Sequence, residues 1–213
     1  MSDLLSALLG GDLRPKSIQL TIDHGLQQVA YSALGNQRGS VVAIRPDTGE
    51  ILAMVSRPSF DPNLFLGSEA LAVREGLLAD PDEPLASRST NRTYPPGSAF
   101  KVVVTAAAIE SGTAGPDTLF PDPIALELPG TVEVIRNYDR EVCADGNEVN
   151  LQTAFRRSCN TVFGALGLQL GAETLGMQAE AFGFNQDTPF EIPVITSVLP
   201  NPSAFAEDRP ALA

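Results

Sequence analysis

A serine and a lysine stand three residues apart in the stretch NRTYPPGSAFKVVV, which covers residues 91–104. Residues at positions i and i+3 share one face of a helix, so Ser98 and Lys101 are expected to point into the same space. A serine hydroxyl becomes a nucleophile when a nearby base removes its proton, and a neutral lysine amine is such a base. The spacing therefore indicates a candidate nucleophile and its base. The alternative is a lysine that snorkels from the start of an ordinary helix.

The residues around Lys101 predict a helix over 98–111 that ends at Gly112. This helix is apolar nearly all round, as is typical of a helix inside a core, through Phe100, Val102, Val103, Val104, Ala106, Ala107, Ala108 and Ile109. We therefore expect Lys101 to be buried, where lowering a lysine pKa to that of a working base costs roughly 4 kcal/mol. The free N–H groups of the first turn would stabilise an alkoxide or an oxyanion at Ser98.

The elements that must hold this pair are predicted from local patterns along the chain. A short strand opens residues 18–34 and is followed by a helix with Asp23 as its N-cap. Strands near 41–45 and 50–56 flank a Pro-Asp-Thr-Gly turn and predict a hairpin. A helix near 68–79 then leads into a loop rich in Pro, Asp and Glu.

The second half of the chain is rich in proline and glycine before it becomes helical again. Strand-like pieces occur at 124–128 and 131–138. Helical patterns follow at 151–158, 161–171 and 172–184, and the remainder is punctuated by prolines. A chain of 213 residues can bury a sizeable core as a single domain.

The charge and hydropathy of the chain exclude several classes of function. A formal net charge of −12 with no basic run argues against a nucleic-acid partner, and the acidity is otherwise an ordinary source of solubility. No stretch approaches the roughly 18 apolar residues that span a bilayer. The first residues also lack the basic region of a secretion signal. We therefore expect that this chain neither exports nor anchors itself.

Cysteine and histidine are scarce: Cys143, Cys159 and His24 are the whole set. They are too few for a structural zinc site or a cysteine-histidine nucleophile pair. His24 falls in the first turn of a predicted helix, where a solvated histidine is a simpler interpretation than a catalytic base. The two cysteines form either a disulfide, if the protein is exported, or two small apolar side chains. We expect neither a metal nor a cofactor.

Four stretches together resemble the transpeptidase domain of a penicillin-binding protein, of the actinobacterial-like class B that lacks a glycosyltransferase domain. They are LTIDHGLQQVA, GSVVAIRPDTGEILAMVSRPSFDPN, YPPGSAFKVVV and VNLQTAFRRSCNTVFGALGLQLGAETL, in the family's order and spacing over residues 17–184. The resemblance implies a mixed α/β (α+β) fold, in which an antiparallel sheet is sandwiched by helices as in serine beta-lactamases and transpeptidases. Residues 1–16 would be a lead-in segment and residues 17–213 an incomplete transpeptidase domain.

The resemblance also implies roles for single residues. Ser98 would be the acylated nucleophile and Lys101 its general base. Ser158 would relay the proton to the leaving group, and Asn160 would hydrogen-bond the substrate amide and Lys101. Ser98, Ser158 and Asn160 would therefore all touch substrate. By itself, the tripeptide Ser158-Cys159-Asn160 is at least as compatible with an N-cap serine and a turn asparagine.

The implied activity is peptidoglycan D,D-transpeptidation through a Ser98 acyl-enzyme, which beta-lactam antibiotics would trap. The implied partners are peptidoglycan stem peptides, beta-lactams and a membrane glycosyltransferase. The implied location is the extracytoplasmic face of the cell membrane, with the anchor outside this chain. In that compartment a disulfide between Cys143 and Cys159 becomes plausible.

The sequence departs from the family in one motif. The family's Lys-Thr-Gly or Lys-Ser-Gly strand lines the active site, yet Lys16 is followed by Ser-Ile, Lys101 by Val-Val, and there is no other lysine. We therefore expect an N-terminal part of a longer catalytic domain, with the C-terminal remainder of that domain as a partner. Alone it would be impaired, since losing one oxyanion donor costs about 10²- to 10³-fold in rate. The alternatives are a D,D-carboxypeptidase, a serine beta-lactamase, and a non-catalytic beta-lactam sensor or structural subunit.

Overall fold

The computed structural model describes residues 17–144 and 146–199, which divide into two compact units between Arg92 and Thr93. The described elements of the first unit are α1 His24–Leu34, β1 Gly39–Ile44, β2 Ile51–Arg57, a 3-10 helix Pro62–Leu66 and α2 Ala70–Ala79. Those of the second are a 3-10 helix Gly97–Phe100, α3 Lys101–Glu110, β3 Leu119–Pro121, β4 Ala125–Glu127, β5 Val134–Arg136, β6 Glu148–Asn150, α4 Leu151–Arg157 and α5 Asn160–Ala181. The described strands pair antiparallel, β1 with β2, β3 with β6 and β4 with β5. The chain is therefore a mixed α/β protein with antiparallel strands, as the sequence predicts.

The first unit is built around the predicted hairpin of β1 and β2. Asp23 caps α1 as expected, because its carboxylate accepts the N–H of Leu26 at 2.9 Å. The side-chain amide of Gln27 pairs with the backbone of Met54 in both directions, at 2.9 and 2.8 Å. These bonds hold α1 alongside β2. His24 is exposed at the start of this helix, as expected.

The short strand expected before α1 is not formed. Ile18 and Leu20 alternate with polar residues as strand residues do, but they are 81% and 67% exposed. The segment runs without strand pairing, and the Thr21 hydroxyl ties it to the Ile51 carbonyl oxygen at 2.7 Å. Among the described residues no strand pairs with this segment, so the alternation alone is not sufficient to make a strand.

A buried arginine organises the loop after α2. Arg88 is 3% exposed, and its guanidinium donates to the carbonyl oxygens of Asp82 and Glu83 at 2.6 and 3.2 Å. The Glu83 carboxylate accepts from Arg38 and Arg92 at 2.6 and 2.7 Å. The hydrogen bond and charge of Arg92, followed by the charge of Arg38, lower the pKa of Glu83. This Pro/Asp/Glu-rich loop is therefore held by hydrogen bonds within itself and by one from Arg38, which precedes β1.

The core of the second unit contains residues from α3, α4, α5 and the β3–β6 sheet. Helix α3 contributes one face, since Val103 and Val104 are buried whereas Val102 and Ile109 are 47% and 49% exposed. The expectation of a helix buried nearly all round is therefore wrong. An all-apolar composition does not reveal which side of a helix its neighbours cover.

The helices differ from the predicted ones at their boundaries. The helix expected over 98–111 begins as the 3-10 helix Gly97–Phe100 and continues as α3. The helices expected at 161–171 and 172–184 correspond to the single element α5, which ends at Ala181 and is broken at Gly171, where a φ of 77° and ψ of 169° suit glycine. Within the two described ranges, no helix is long and apolar enough to cross a lipid bilayer.

Candidate active site

Ser98 is presented by the turn that opens α3. Gly97 takes a left-handed conformation with φ of 54°, which leads the chain into the 3-10 helix and leaves Ser98 exposed. Lys101 is the first residue of α3, and its Nζ lies 3.3 Å from the Ser98 Oγ. The predicted pair therefore shares one face of the helix start. Lys101 is half-buried, which is less than the sequence led us to expect.

The turn between α4 and α5 brings two more side chains to the same amine. The Lys101 Nζ lies 2.6 Å from the Ser158 carbonyl oxygen, 2.9 Å from the Ser158 Oγ and 2.7 Å from the Asn160 Oδ1. The Ser158 hydroxyl also donates to the Ser98 Oγ at 2.9 Å. Ser98, Ser158 and Asn160 therefore surround the amine of the fourth residue singled out in the sequence, Lys101, although Ser158 follows Lys101 by 57 residues.

The turn that carries Ser158 has a left-handed backbone. Ser158 takes φ of 58° and ψ of 45°, a region that residues with a Cβ seldom occupy. The Cys159 N–H donates to the Ala154 carbonyl at 2.9 Å and closes the end of α4. Ser158 is therefore the C-cap of α4 and not the N-cap of α5. In this conformation both its carbonyl and its hydroxyl face Lys101.

The Asn160 amide is oriented by the end of strand β5. Its Nδ2 donates to the Arg136 carbonyl oxygen at 2.9 Å, so the Oδ1 is the atom that faces Lys101. The sequence placed Asn160 in the site but gave no hint of Arg136. A backbone carbonyl carries no signal in the residue type.

Burial lowers the pKa of Lys101 below that of an ordinary lysine. Desolvation disfavours the ammonium form, so the neutral amine becomes available at a lower pH. The oxygens that surround the amine belong to hydroxyl, amide and peptide groups, and the Phe163 ring centroid lies 5.5 Å from the Nζ. The electrostatic setting therefore favours a lysine that works as a base.

A cleft of about 380 Å³ opens beside the Ser98 hydroxyl. It is lined by Ser98, Ser158 and Asn160, together with Arg157 and residues of the segment 137–143. This volume is within the range of small-ligand sites. The hydroxyl of the candidate nucleophile thus faces a space that could hold the reacting part of a substrate.

The two cysteines, which the sequence left as a disulfide or as two apolar side chains, are bonded in the structure. Their Cα atoms lie 5.9 Å apart. Cys143 lines the cleft, and Cys159 stands between Ser158 and Asn160. The disulfide therefore ties the cleft wall to the turn that contacts Lys101.

Comparison with known proteins identifies the family. The family model of the penicillin binding protein transpeptidase domain matches residues 39–207 of the sequence. The chain belongs to this penicillin-binding protein transpeptidase family. The resemblance found in the sequence is thereby confirmed.

Relatives of this chain include peptidoglycan D,D-transpeptidases from two different bacteria. Peptidoglycan D,D-transpeptidase PbpA of Mycolicibacterium smegmatis is 45% identical over 189 residues, which are 84% of this chain and 38% of the relative. Peptidoglycan D,D-transpeptidase MrdA of Escherichia coli is 33% identical over 175 residues, 82% of this chain and 27% of the relative. The chain therefore spans well under half the length of these curated relatives.

The fold is shared with solved transpeptidase-family structures. Penicillin-binding protein A from M. tuberculosis, as its penicillin G acyl-enzyme complex, aligns with a TM-score of 0.86 at 36% identity. The alignment covers 98% of this chain and 49% of that one. The predicted fold class is confirmed by this likeness.

Proposed function

We propose that this chain carries the nucleophile and the general base of a peptidoglycan D,D-transpeptidase. The observation that carries the proposal is the Lys101 amine in contact with the hydroxyls of Ser98 and Ser158, which lie 2.9 Å from each other. The names of the relatives support it, since both are peptidoglycan D,D-transpeptidases. So does the M. tuberculosis neighbour, which forms an acyl-enzyme with penicillin G.

In the first half-reaction, the Ser98 Oγ attacks the carbonyl carbon of the D-Ala-D-Ala peptide bond in a stem peptide. The hydroxyl proton passes to the neutral Lys101 amine, either directly over 3.3 Å or through the Ser158 hydroxyl over two contacts of 2.9 Å. The C–N bond then breaks, and the leaving amine of D-Ala takes a proton from Lys101 through Ser158. The products are an ester on Ser98 and free D-Ala.

In the second half-reaction, the amine of another stem peptide attacks the ester carbonyl and gives up a proton through Ser158 to Lys101. The C–O bond breaks, and Ser98 regains its proton from Lys101. One peptide bond is thus exchanged for another without an oxidant or reductant. A beta-lactam would stop at the first half-reaction, because its amide nitrogen stays tethered to the acyl group after the ring opens.

We assign Asn160 to the substrate amide as well as to Lys101. The Asn160 Nδ2 carries two hydrogens, and the Arg136 carbonyl oxygen accepts one of them. The second is available to a carbonyl oxygen of a stem peptide in the cleft. Asn160 would thus link the position of the substrate to the position of the base.

We infer that the protein acts at the extracytoplasmic face of the cell membrane, beside a membrane glycosyltransferase that supplies glycan strands. The disulfide between Cys143 and Cys159 supports this location, because such bonds persist in oxidising compartments. A membrane-impermeant fluorescent beta-lactam should label the protein in intact cells. Labelling only after permeabilisation would contradict the location.

The test of the proposed function is a reaction of the full-length protein with a D-Ala-D-Ala peptide and an amino-acid acceptor. We expect the acceptor to be joined to the peptide with release of D-Ala, in the unmodified protein and in the control Ser111→Ala but not in Ser98→Ala. Release of D-Ala without acceptor incorporation would indicate a carboxypeptidase. Rapid hydrolysis of penicillin would indicate a beta-lactamase, and no reaction with either substrate would indicate a non-catalytic relative.

A further inference from the structure

The cleft-wall segment 136–144, called the brace below, is fastened to the residues around Asn160 at three points. The Arg136 carbonyl oxygen accepts from the Asn160 Nδ2 at 2.9 Å. The Asn137 Oδ1 accepts from the N–H and the hydroxyl of Thr161 at 3.3 and 3.4 Å. The disulfide joins Cys143 to Cys159. The brace is thus bonded to three consecutive residues, to Cys159 by the disulfide and to Asn160 and Thr161 by hydrogen bonds.

The far side of the brace is anchored by buried polar groups. The Asp122 carboxylate, 4% exposed, accepts the N–H of Cys143 at 2.8 Å and the N–H of Ala144 at 2.6 Å. Asn137 is 6% exposed, and its Nδ2 donates to the Glu141 carbonyl oxygen at 2.9 Å. Buried carboxylate and amide groups that are hydrogen-bonded in this way favour one conformation of a loop. The brace is therefore a fixed structure against which the turn is held.

The turn that the brace holds has a costly backbone. Ser158 keeps a left-handed φ of 58° without being glycine, and such residues persist only when their surroundings over-determine them. The conformation matters because it presents the carbonyl and the hydroxyl of Ser158 to Lys101. Cys159, the next residue, is completely buried and bonded to the brace. The disulfide is thus formed by the residue that directly follows Ser158, whose geometry the chemistry needs.

We propose that Cys143, Cys159 and Asn137 are positioning residues, and that the intact disulfide sets the rate of Ser98 acylation by holding Ser158 and Asn160 against Lys101. This inference rests on the proposed function. A dithiol such as dithiothreitol would supply two electrons and two protons, the disulfide would become two thiols, and the reagent would be oxidised to its cyclic disulfide. The Ser158 backbone then relaxes from its left-handed conformation. Acylation of Ser98 then becomes slower, while the cleft that binds the substrate is retained.

The test separates the acylation step from binding. Full-length protein, oxidised or reduced with dithiothreitol and then freed of it, is mixed rapidly with penicillin G to obtain the noncovalent Kd and the acylation rate constant. Misplacing a reacting group by about 1 Å can cost about 10²-fold, so we expect reduction to lower the rate constant by about 10- to 100-fold with Kd little changed. Reoxidation should restore the rate. The double variant Cys143→Ala/Cys159→Ala should be slow and indifferent to the reagent.

Asn137→Ala supplies a second test that keeps the disulfide intact. It removes the acceptor of Thr161, and we expect it to lower the same rate constant without a matching change in Kd. If the brace only stabilised the fold, reduction or Asn137→Ala would lower the melting temperature of the protein. The acylation rate constant measured well below that temperature would then be unchanged. Unchanged rate constants in the reduced protein and in Asn137→Ala would overturn the inference. An oxidised, unmodified protein that is not acylated at all overturns the proposed function itself, and this inference with it.

Discussion

The Lys101 Nζ lies 2.6 Å from the Ser158 carbonyl oxygen, the shortest of its four polar contacts. This oxygen and the Asn160 Oδ1 can only accept hydrogen bonds, so they take two hydrogens of the amine. The remaining position faces the hydroxyls of Ser98 and Ser158, which can donate. A neutral Lys101 therefore has its lone pair directed at a hydroxyl proton before any substrate binds. The geometry is that of a base prepared in advance.

Replacing Lys101 by a long side chain that cannot give up its proton should slow the chemistry strongly. Arginine stays protonated at any pH at which proteins fold, so Lys101→Arg cannot accept the Ser98 proton. We expect the rate of acylation by penicillin to fall by about 10²- to 10⁴-fold, the range for a positioned general base. Arg156→Lys, an exchange at an exposed position, is the control and should react like the unmodified protein. Near-normal acylation of Lys101→Arg would exclude Lys101 as the base.

The acylation rate should rise with pH through a pKa below the usual lysine value of 10.5. Burial lowers the pKa of Lys101, so the neutral, reactive amine accumulates as pH increases past that lowered value. The folded protein binds fewer protons than the unfolded chain between the lowered pKa and 10.5, and its stability therefore rises with pH across that window. Stopped-flow acylation across a pH series measures the rate. A rising limb centred at 10.5 would contradict a desolvated base.

Two substitutions of Ser158 should separate its backbone from its hydroxyl. Ser158→Gly and Ser158→Ala both delete the hydroxyl, and each should slow acylation by about 10²-fold. Glycine tolerates the left-handed φ of 58° whereas alanine does not. Ser158→Gly should therefore be the more stable variant by about 1 kcal/mol. Urea unfolding checks the order, and equal stabilities would mean that the turn is not strained.

The predictable part of the fold is the part that depends on near neighbours in sequence. Asp23 predicts the start of α1, because the side chain of an N-cap residue accepts a hydrogen bond from the backbone N–H three positions later. The Ser98 and Lys101 pair follows in the same way from one turn of helix. The hairpin of β1 and β2 was also expected, since its turn residues and apolar runs are contiguous.

The unpredicted part depends on contacts between distant residues. Asn137 meets Thr161 across 24 positions, and Asp122 meets Cys143 across 21, with no pattern in residue type to show it. The strand expected before α1 is absent for a related reason, since strand formation needs a partner that local alternation cannot supply. The composition predicts a loop around Arg88 but not its burial, because the partners of its guanidinium are backbone carbonyl oxygens, which residue types do not reveal.

Arg88 and Arg38 both lie near Glu83, but they should contribute differently to the free energy of unfolding. Arg88 is 3% exposed, and its removal leaves a cavity and deprives the carbonyl oxygens of Asp82 and Glu83 of their donor, so Arg88→Ala should destabilise the protein by about 2–4 kcal/mol. Arg38 forms its ion pair with Glu83 at a side-chain exposure of 50%, and Arg38→Ala should cost less than about 1 kcal/mol. Denaturant unfolding of the two variants gives the comparison. Equal losses would show that the buried hydrogen bonds are not what stabilises the loop.

The most direct measurement is the identity of the residue that penicillin G modifies in the full-length protein. The intact mass and the digested peptides are recorded after a short incubation, with Ser98→Ala and Ser111→Ala alongside. We expect one added penicillin molecule per protein, located on the peptide that contains Ser98, present in Ser111→Ala and missing from Ser98→Ala. An adduct on any other residue, or an adduct that persists in Ser98→Ala, would contradict it.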